Sequence, residues 1–486
     1  MSDTMVVTRF APSPTGFMHV GNLRTALYSY LIAKHSGGKF ILRIEDTDQE
    51  RFVEGATEVI LNTLRMTGLK YDEGPDVGGP NGPYIQSQRK EIYQKYAKWL
   101  VDHGYAYYCF CSEERLRSLH DENGIGGYDR HCRNLPKEEI EAHLKNGDPY
   151  VIRQKMPLTG TTTYFDEVYG EQSVENKELQ DQILMKADGY PTYNFAHIVD
   201  DHLMGVNYVV RGNEYITSTP KYVLLYDAFG WERPHYVHLP LLCGKNPDGS
   251  VSKLSKRHGA VSFEELVKQG FLPDAIVNYL AFLGWAPKDT TQEIFSLEEL
   301  VHIFTIDGIG KSNAVFDYEK LKWFNAEYLK KLNPDDFYDR IRPIWTAADM
   351  PAYVNQKKLA GLVQSRVSTL NESADIVDFV LSRLPYDETL YTNKKNKTTP
   401  ELCLQILETV RPALEAAPAW ENDALFELLQ QAAADLGVKK NAVMWAVRIA
   451  IARKAVTPGG ATELMEVFGR EESLSRMDQA IRELGA

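Results

Sequence analysis

The sequence predicts an α/β protein: a parallel-sheet domain, interrupted by an inserted α+β subdomain and followed by an all-α C-terminal domain. Three observations predict it. The chain opens with a strand–helix–strand pattern. Between about Tyr105 and Tyr190 the composition shifts to short aromatic and Thr-rich pieces such as TGTTTYFDEVYG. From about Asn333 onward the apolar spacing is that of amphipathic helices, with no strong strand pattern.

Taken in order, VVTRF (Val6 to Phe10) reads as a strand, and a Pro/Gly-rich turn follows it. Leu23, Ala26, Leu27, Tyr30 and Leu31 then share one face of a helix that Gly37 and Gly38 end. Lys39 to Ile44 supplies a second strand, which runs into Glu45, Asp46 and Asp48. Such a unit starts a parallel sheet with a right-handed crossover. Ligands of such sheets bind at the carboxyl ends of the strands, where the first turn and the acidic cluster both fall. Strands resume at Tyr208–Arg211 and Tyr236–Leu242, and the chain turns helical after Phe263. No internal repeat is present, and the Lys394, Lys395 and Lys397 run reads as a solvated loop.

Composition bounds the function. With 486 residues, 43% hydrophobic and 25% charged, the chain has the size for roughly two to four domains. Its N-terminus, MSDTMVVTRF, lacks a basic region ahead of an apolar run, and no stretch of about 18 apolar residues follows anywhere. A cytoplasmic protein with no membrane partner is therefore expected. The formal charge of −13 has the wrong sign for coating nucleic acid, so any RNA binding must use local basic surfaces. Five cysteines, three of them clustered at Cys109, Cys111 and Cys132, do not form a disulfide framework in a chain of this length.

Two segments carry the chemistry. In FAPSPTGFMHVGNLRTAL (Phe10 to Leu27), Pro12, Pro14 and Gly16 force a turn, and His19, Gly21 and Asn22 stand where the chain enters the helix. A helix N-terminus offers unpaired N–H groups and a positive dipole end to phosphate. Gly21 keeps no side chain between backbone and nucleotide, and His19 and Asn22 can donate to phosphate or ribose oxygens. In KLSKRHG (Lys253 to Gly259), two ammonium groups three residues apart can close over a triphosphate as pyrophosphate leaves. Each segment alone also reads as an ordinary turn. Together they are far more specific.

These segments resemble the class I aminoacyl-tRNA synthetases: HVGN (His19 to Asn22) is similar to the HIGH signature and KLSKR (Lys253 to Arg257) to the KMSKS signature. RFAPSPTG, RIEDTD (Arg43 to Asp48), PTYNFA (Pro191 to Ala196), VDDHLMGV (Val199 to Val206) and KLSKRHGA narrow the resemblance to glutamyl-tRNA synthetases. It runs on through Phe316-Asp317 and Lys320 to Asn325 and covers nearly the whole chain.

The resemblance implies a Rossmann-type catalytic domain in two halves, 1–108 and 191–262. Residues 109–190 would be an inserted subdomain holding the tRNA acceptor end, 263–332 a helical connecting domain, and 333–486 an all-α anticodon-binding domain. Arg9, Ala11, Ser13, Glu45, Tyr193, His197 and Arg211 would surround glutamate. His197 departs from some relatives, which carry Asn there. Arg9 and Arg211 also make independent sense, because guanidinium forks pair with the carboxylates of a dicarboxylate substrate. His19, Gly21, Asn22, Glu214, Lys253 and Lys256 would face ATP, with His19, Asn22, Lys253 and Lys256 as the catalytic set.

The implied reaction activates glutamate with ATP and Mg²⁺ to glutamyl-adenylate, then transfers it to the 3′ end of tRNA-Glu, with tRNA-Gln a second candidate. Neither step needs a protein nucleophile, so positioning and charge stabilisation suffice. Cys109, Cys111, Tyr128 and Cys132 are similar to a zinc-binding insertion in some relatives. Part of the family has a His where this chain has Asn134, and Tyr128 or His131 could take its place. Arg448, Arg453 and Lys454 are candidate tRNA contacts on an amphipathic helix, Ala442 to Ala455. A monomer is expected from the family.

Alternatives are weaker. Glutaminyl-tRNA synthetases end in β-barrels, whereas this chain reads as helical there. The shortened paralogue that modifies a tRNA base lacks residues matching 333–486. A catalytically dead relative would have lost His19, Lys253 or Lys256, and a small-substrate nucleotidyltransferase would not need the helical C-terminal region.

Overall fold

The structure, a computed structural model, describes residues 5–48, 53–119, 127–259 and 261–486, with Lys256 described by its backbone alone. It divides into two units, Met1–Leu266 with Ile276–Asp317, and Val267–Ala275 with Tyr318–Ala486.

The first unit begins with β1 (Val7–Phe10), α1 (Val20–His35) and β2 (Lys39–Leu42). β1 and β2 run parallel, Val7 opposite Lys39 through Phe10 opposite Leu42. Backbone bonds from Arg43 N to Phe10 O and from Glu45 N to Pro12 O carry the pairing on, which delivers Glu45 to the carboxyl end of the sheet. Gly38 is required at the α1–β2 turn, where a Cβ would lie 2.0 Å from the Val6 carbonyl oxygen.

The helix is buried on more than the one face its apolar spacing predicts: Arg24, Tyr28 and Ala33 are covered along with Leu23 and Leu27. The reason lies far along the chain, where the Ala281 and Leu283 carbonyls accept from the Tyr28 hydroxyl.

Asn207 links β1 to the next parallel pair. Its side-chain oxygen accepts from Val7 N at 2.7 Å, and the strand Tyr208–Gly212 that follows runs parallel to His235–Leu239. The single strand expected at Tyr236–Leu242 is instead two, His235–Leu239 and Leu242–Lys245. Pro240 separates them, since its ring nitrogen has no hydrogen to give a ladder. Leu242–Lys245 pairs parallel with Ala314–Phe316 and antiparallel with Val251–Lys253.

Strands Ala106–Cys109, Val151–Gln154 and Ile183–Met185 make a separate antiparallel sheet. The Thr-rich piece forms a hairpin, Thr161–Asp166 with Gly170–Glu175, whose first strand alternates exposed and buried residues. That hairpin adds to the larger sheet through Asp166 opposite Tyr236, so Asp166 is inserted beside His235–Leu239.

The second unit is built of helices around an apolar core that includes Phe337, Ile341, Trp345, Leu407, Val443, Leu464 and Phe468. Helix Pro400–Glu415 shows how the sequence specifies it. Thr399 Oγ1 accepts from Leu402 N, Pro400 occupies the first turn, and Cys403, Ile406, Leu407, Val410 and Leu414 form the buried stripe. The helix expected over Ala442–Ala455 spans Lys440–Ala452, because Arg453 takes a left-handed conformation (φ 50°) that ends it. Arg453 is held there by the Leu384 carbonyl at 3.0 Å and by Glu483. Among the described residues no helix is long and apolar enough to cross a membrane.

Candidate active site

A cleft of about 660 Å³ opens at the carboxyl ends of β1 and Tyr208–Gly212. Arg9, Ala11, Ser13, His19, Gly21, Asn22, Glu45, Tyr193, Arg211, Glu214 and Lys253 line it. Two residues expected beside them differ in placement. His197 stands behind the wall, and the Lys256 side chain lies outside the described residues.

His19 caps α1 with extended backbone angles, and its Nδ1 accepts from Gly21 N at 3.0 Å. Burial, and secondarily the Lys253 ammonium, lower its pKa. The neutral ring with Nδ1 as acceptor carries its proton on Nε2, leaving a donor for a ligand oxygen. Gly21 serves this arrangement directly: a Cβ there would lie 3.1 Å from His19 Nδ1.

Lys253 ends a strand braced on Leu242–Lys245, and beyond it Val20 N bonds to Val261 O and Phe263 N to Met18 O, each at 2.9 Å. The entry to α1 is therefore stitched to the chain just beyond the lysine segment. Within the loop, the His258 ring packs on Gly244, where a Cβ would come within 2.4 Å of it, and His258 Nε2 lies 2.9 Å from Asn246 Oδ1.

The acidic and basic groups behind the cleft form one buried network. Arg9 Nε donates to both oxygens of Asp201, at 3.1 and 3.2 Å. Arg43 Nη1 donates to Asp201 at 2.7 Å and Arg43 Nη2 to Glu45 Oε1 at 3.0 Å. Asp200 accepts from Arg89 Nε, Gln86 Nε2 and the Tyr93 hydroxyl at 2.7, 2.9 and 2.8 Å.

Burial alone would raise Asp201, but Arg9 and Arg43 together hold it at about 2. Glu45 behaves oppositely. Burial pushes it up to about 7, and Arg43 and Arg9 offset only part of the rise. Glu45 lines the cleft, and its Oε2 makes no hydrogen bond among the described residues.

Arg211 has different company. It is 4% exposed, yet no carboxylate pairs with it among the described residues. Its Nε donates to His238 Nε2 at 3.1 Å and its Nη2 to Thr219 Oγ1 at 2.7 Å. The rings of Tyr222, Tyr215 and Tyr236 lie 4.8, 5.1 and 5.6 Å from its guanidinium carbon. His197 stacks on Tyr193 at 4.7 Å, with Nδ1 2.7 Å from the Tyr193 carbonyl and Nε2 3.4 Å from Arg211 Nη1. Burial first, then Arg211, lowers its pKa to about 3, so it is a neutral neighbour.

Sequence reasoning missed several cleft residues. Arg24 is buried in α1, with Nη1 donating to the Leu283 carbonyl at 2.9 Å and Nη2 to that of Pro240. Gln86 bridges Asp200 and Glu45. Gly212 passes where a Cβ would meet the Glu214 carboxylate at 2.0 Å. A charged residue at a helix position surrounded by apolar ones was the available signal for Arg24; Gln86 left none. In the helical unit, Lys454 is paired with Asp378 at 2.7 Å, and Arg448 lies over Trp445 at 4.7 Å.

The sulfurs of Cys109, Cys111 and Cys132 lie within 4.8 Å of one another, with Cys111 and Cys132 3.5 Å apart. A tetrahedral zinc with thiolates at about 2.3 Å spaces its sulfurs about 3.8 Å apart. The Tyr128 hydroxyl oxygen lies 3.2 Å from Cys109 Sγ and 3.9 Å from Cys111 Sγ, a fourth donor beside the cluster, whereas among the described residues His131 does not join it. Three sulfurs and a phenol fit zinc.

Comparison with known proteins gives the family of the chain. Residues 5–323 match the family model for the catalytic domain of class I tRNA synthetases (E and Q), and residues 319–481 match an anticodon binding domain. A glutamate–tRNA ligase of Clostridium novyi is 56% identical, covering 100% of this chain and 99% of its own. One from Clostridium acetobutylicum is 51% identical, covering both chains fully. The crystal structure of a glutamate tRNA ligase from Elizabethkingia meningosepticum, in complex with its amino acid, superposes with a TM-score of 0.90 at 34% identity. That superposition covers 99% of this chain and 100% of the other.

Proposed function

The chain belongs to the glutamate–tRNA ligase family of class I synthetases and joins glutamate to tRNA-Glu using ATP, and from that premise we propose how its own residues divide the work. Arg211 takes one carboxylate of glutamate, Arg9 lies beside the other, and Glu45 Oε2 receives the α-ammonium. Tyr193 closes the apolar side, Ala11 and Ser13 shape the turn above, and His197 steadies Tyr193 and Arg211 from behind.

The observation that carries this reading is Arg211 itself. A buried guanidinium whose acceptors are all neutral retains a charge that an incoming carboxylate can meet.

His19, Gly21, Asn22 and Glu214 hold ATP, which enters with Mg²⁺ as its counter-ion, and Lys253 and Lys256 meet the charge that grows on the departing pyrophosphate. The glutamate carboxylate attacks the α-phosphorus and gives glutamyl-adenylate. A ribose hydroxyl of the tRNA 3′ end then attacks the acyl carbon and releases AMP. Catalysis is positioning plus electrostatic stabilisation.

Residues 109–190 receive the acceptor end, 263–332 connect, and 333–486 bind the anticodon. Cys109, Cys111, Cys132 and Tyr128 hold a structural zinc that ties the strand Ala106–Cys109 to the loop carrying Cys132. The chain works as a monomer in the cytoplasm, without a membrane partner, a setting that free thiols and the substrates support. Aminoacylation with radiolabelled glutamate, tRNA-Glu and tRNA-Gln in parallel, and glutamine as control amino acid tests the reading. Glutamate on tRNA-Glu is the expected product, and the tRNA-Gln lane decides whether the second tRNA is also a substrate. ATP binding with no charging of either tRNA would overturn it.

A further inference from the structure

We propose that Asp166 and His238 are positioning residues for glutamate selection: they fix the plane of the Arg211 guanidinium while leaving its positive charge uncancelled. The proposal rests on Arg211 as the carboxylate receptor. Three side chains that no apolar pattern would group form a line. Asp166 Oδ2 lies 2.6 Å from His238 Nδ1, and His238 Nε2 accepts from Arg211 Nε at 3.1 Å. Asp166 and His238 are both fully buried.

Asp166 is itself anchored. Its Oδ1 accepts from Val168 N and Tyr169 N at 3.0 and 2.7 Å, and its Oδ2 also accepts from His238 N. The hairpin places it there by adding its strand to His235–Leu239.

The chemistry of the line follows from donors and acceptors. A carboxylate only accepts, so the His238 proton sits on Nδ1 and Nε2 presents a lone pair to Arg211. Burial, together with Arg211, outweighs Asp166 and keeps the ring neutral. Direct contact between Asp166 and Arg211 would hold the guanidinium equally well but would neutralise it. The interposed imidazole transmits orientation without charge. Thr219 completes the frame in the same neutral manner, accepting from Arg211 Nη2 and donating to the Tyr215 carbonyl at 2.8 Å. The three tyrosine faces favour a cation and likewise do not cancel it.

The prediction is a tautomer switch. Asp166→Asn keeps the shape, and its oxygen remains with the Val168 and Tyr169 N–H groups, so its amide nitrogen faces both His238 Nδ1 and the His238 backbone N–H, which loses its acceptor. The histidine proton must then move to Nε2, where it opposes the Arg211 Nε–H. Steady-state aminoacylation by the full chain, at saturating tRNA, reads the result. Asp166→Asn is expected to raise the KM for glutamate about tenfold, the factor one lost hydrogen bond to a charged group carries, with the KM for ATP within about twofold.

His238→Gln can imitate the imidazole: toward the Asp166 carboxylate its amide donates to Asp166 and accepts from Arg211, whereas in the Asp166→Asn background the amide turns over and opposes the Arg211 Nε–H just as the switched imidazole does. Alone it is expected to stay within about threefold of the parent, and in the Asp166→Asn background to leave the glutamate KM as high as in Asp166→Asn alone. A His238→Gln variant as impaired as Asp166→Asn, or a double variant restored to the parent KM, would overturn the proposal, as would equal rises in both KM values. Arg211→Lys separates the two readings. If it raises the glutamate KM while Asp166→Asn does not, the relay is wrong and the receptor stands. If it changes nothing, the receptor falls and the relay with it.

Discussion

Arg43 Nη1 and Asp201 Oδ1 lie 2.7 Å apart with both side chains fully excluded from water. Arg9 shares the same carboxylate, so one anion bridges two buried cations. Asp201→Ala is expected to destabilise the first unit by about 3–5 kcal/mol, because it leaves the buried Arg9 without a carboxylate among the described residues and takes from Arg43 its nearest one. Urea unfolding monitored by tryptophan fluorescence measures it. The folded pKa of about 2 lies below the ordinary 3.8, so the stabilisation is fully present above pH 3.8 and is lost as pH falls through about 2. In the parent, therefore, unfolding from this source is confined to strong acid.

Glu45 predicts a pH profile of the opposite sense. Its carboxyl is raised to about 7, so it loses its charge as pH falls through neutrality, in a window where glutamate itself does not titrate. The KM for glutamate is expected to rise about tenfold per pH unit below 7, and Glu45→Gln to start high and give a flat profile from pH 5.5 to 8. A parent KM independent of pH would remove Glu45 from the ammonium site. For stability the sign reverses, since a raised carboxyl favours the fold at low pH and loses that contribution as pH climbs through about 7.

In the proposed division of work, Lys253 and Lys256 meet charge that grows only as pyrophosphate leaves. Lys256→Ala is expected to lower kcat about 100-fold, with the glutamate KM within about twofold. Single-turnover adenylate formation locates the loss, and an unchanged turnover number would remove the residue from the reaction.

Gly21→Ala sets two effects against each other. Alanine in the first turn of α1 should stabilise the helix by up to about 1 kcal/mol, yet its Cβ would press on His19 Nδ1 at 3.1 Å. A protein at least as stable as the parent but with a KM for ATP raised several-fold is expected. Thermal unfolding and ATP kinetics on one preparation read both.

The three-sulfur cluster predicts one zinc per chain by elemental analysis. Cys111→Ser should lose most of the metal, and Tyr128→Phe should weaken retention against a chelator by about tenfold or more. A protein free of zinc when purified from zinc-supplemented medium would rule the site out.

What was legible in the sequence divides along physical lines. The turn from Pro12 to Asn22 could be read because its special backbone demands fall on adjacent residues, and Glu45 because it closes a strand beside that turn. The helical C-terminal unit announced itself through the spacing of residues such as Cys403, Ile406, Leu407 and Val410. Pro240 marked a strand break that the apolar run around it concealed. Gln86 was not legible, and Arg24 showed only as a charge among apolar helix positions, because each acquires its role from carbonyls or carboxylates far along the chain. Nor was the pairing of Asp166 with His238, two residues that sit unremarkably in separate strands until the hairpin joins them. His197 was expected around the glutamate itself, and its place behind Arg211 depends on the packing of its helix.

The hydrogen bonds from Val20 N to the Val261 carbonyl and from Phe263 N to the Met18 carbonyl join the entry to α1 with the chain just beyond the lysine loop and make them a single hereditary unit. A swap that exchanges only the lysine loop between related proteins would tear one side of a seam whose other side it leaves behind. Chimeras that carry both segments together should inherit catalytic rate from their donor, while single-segment exchanges should combine the defects of both parents.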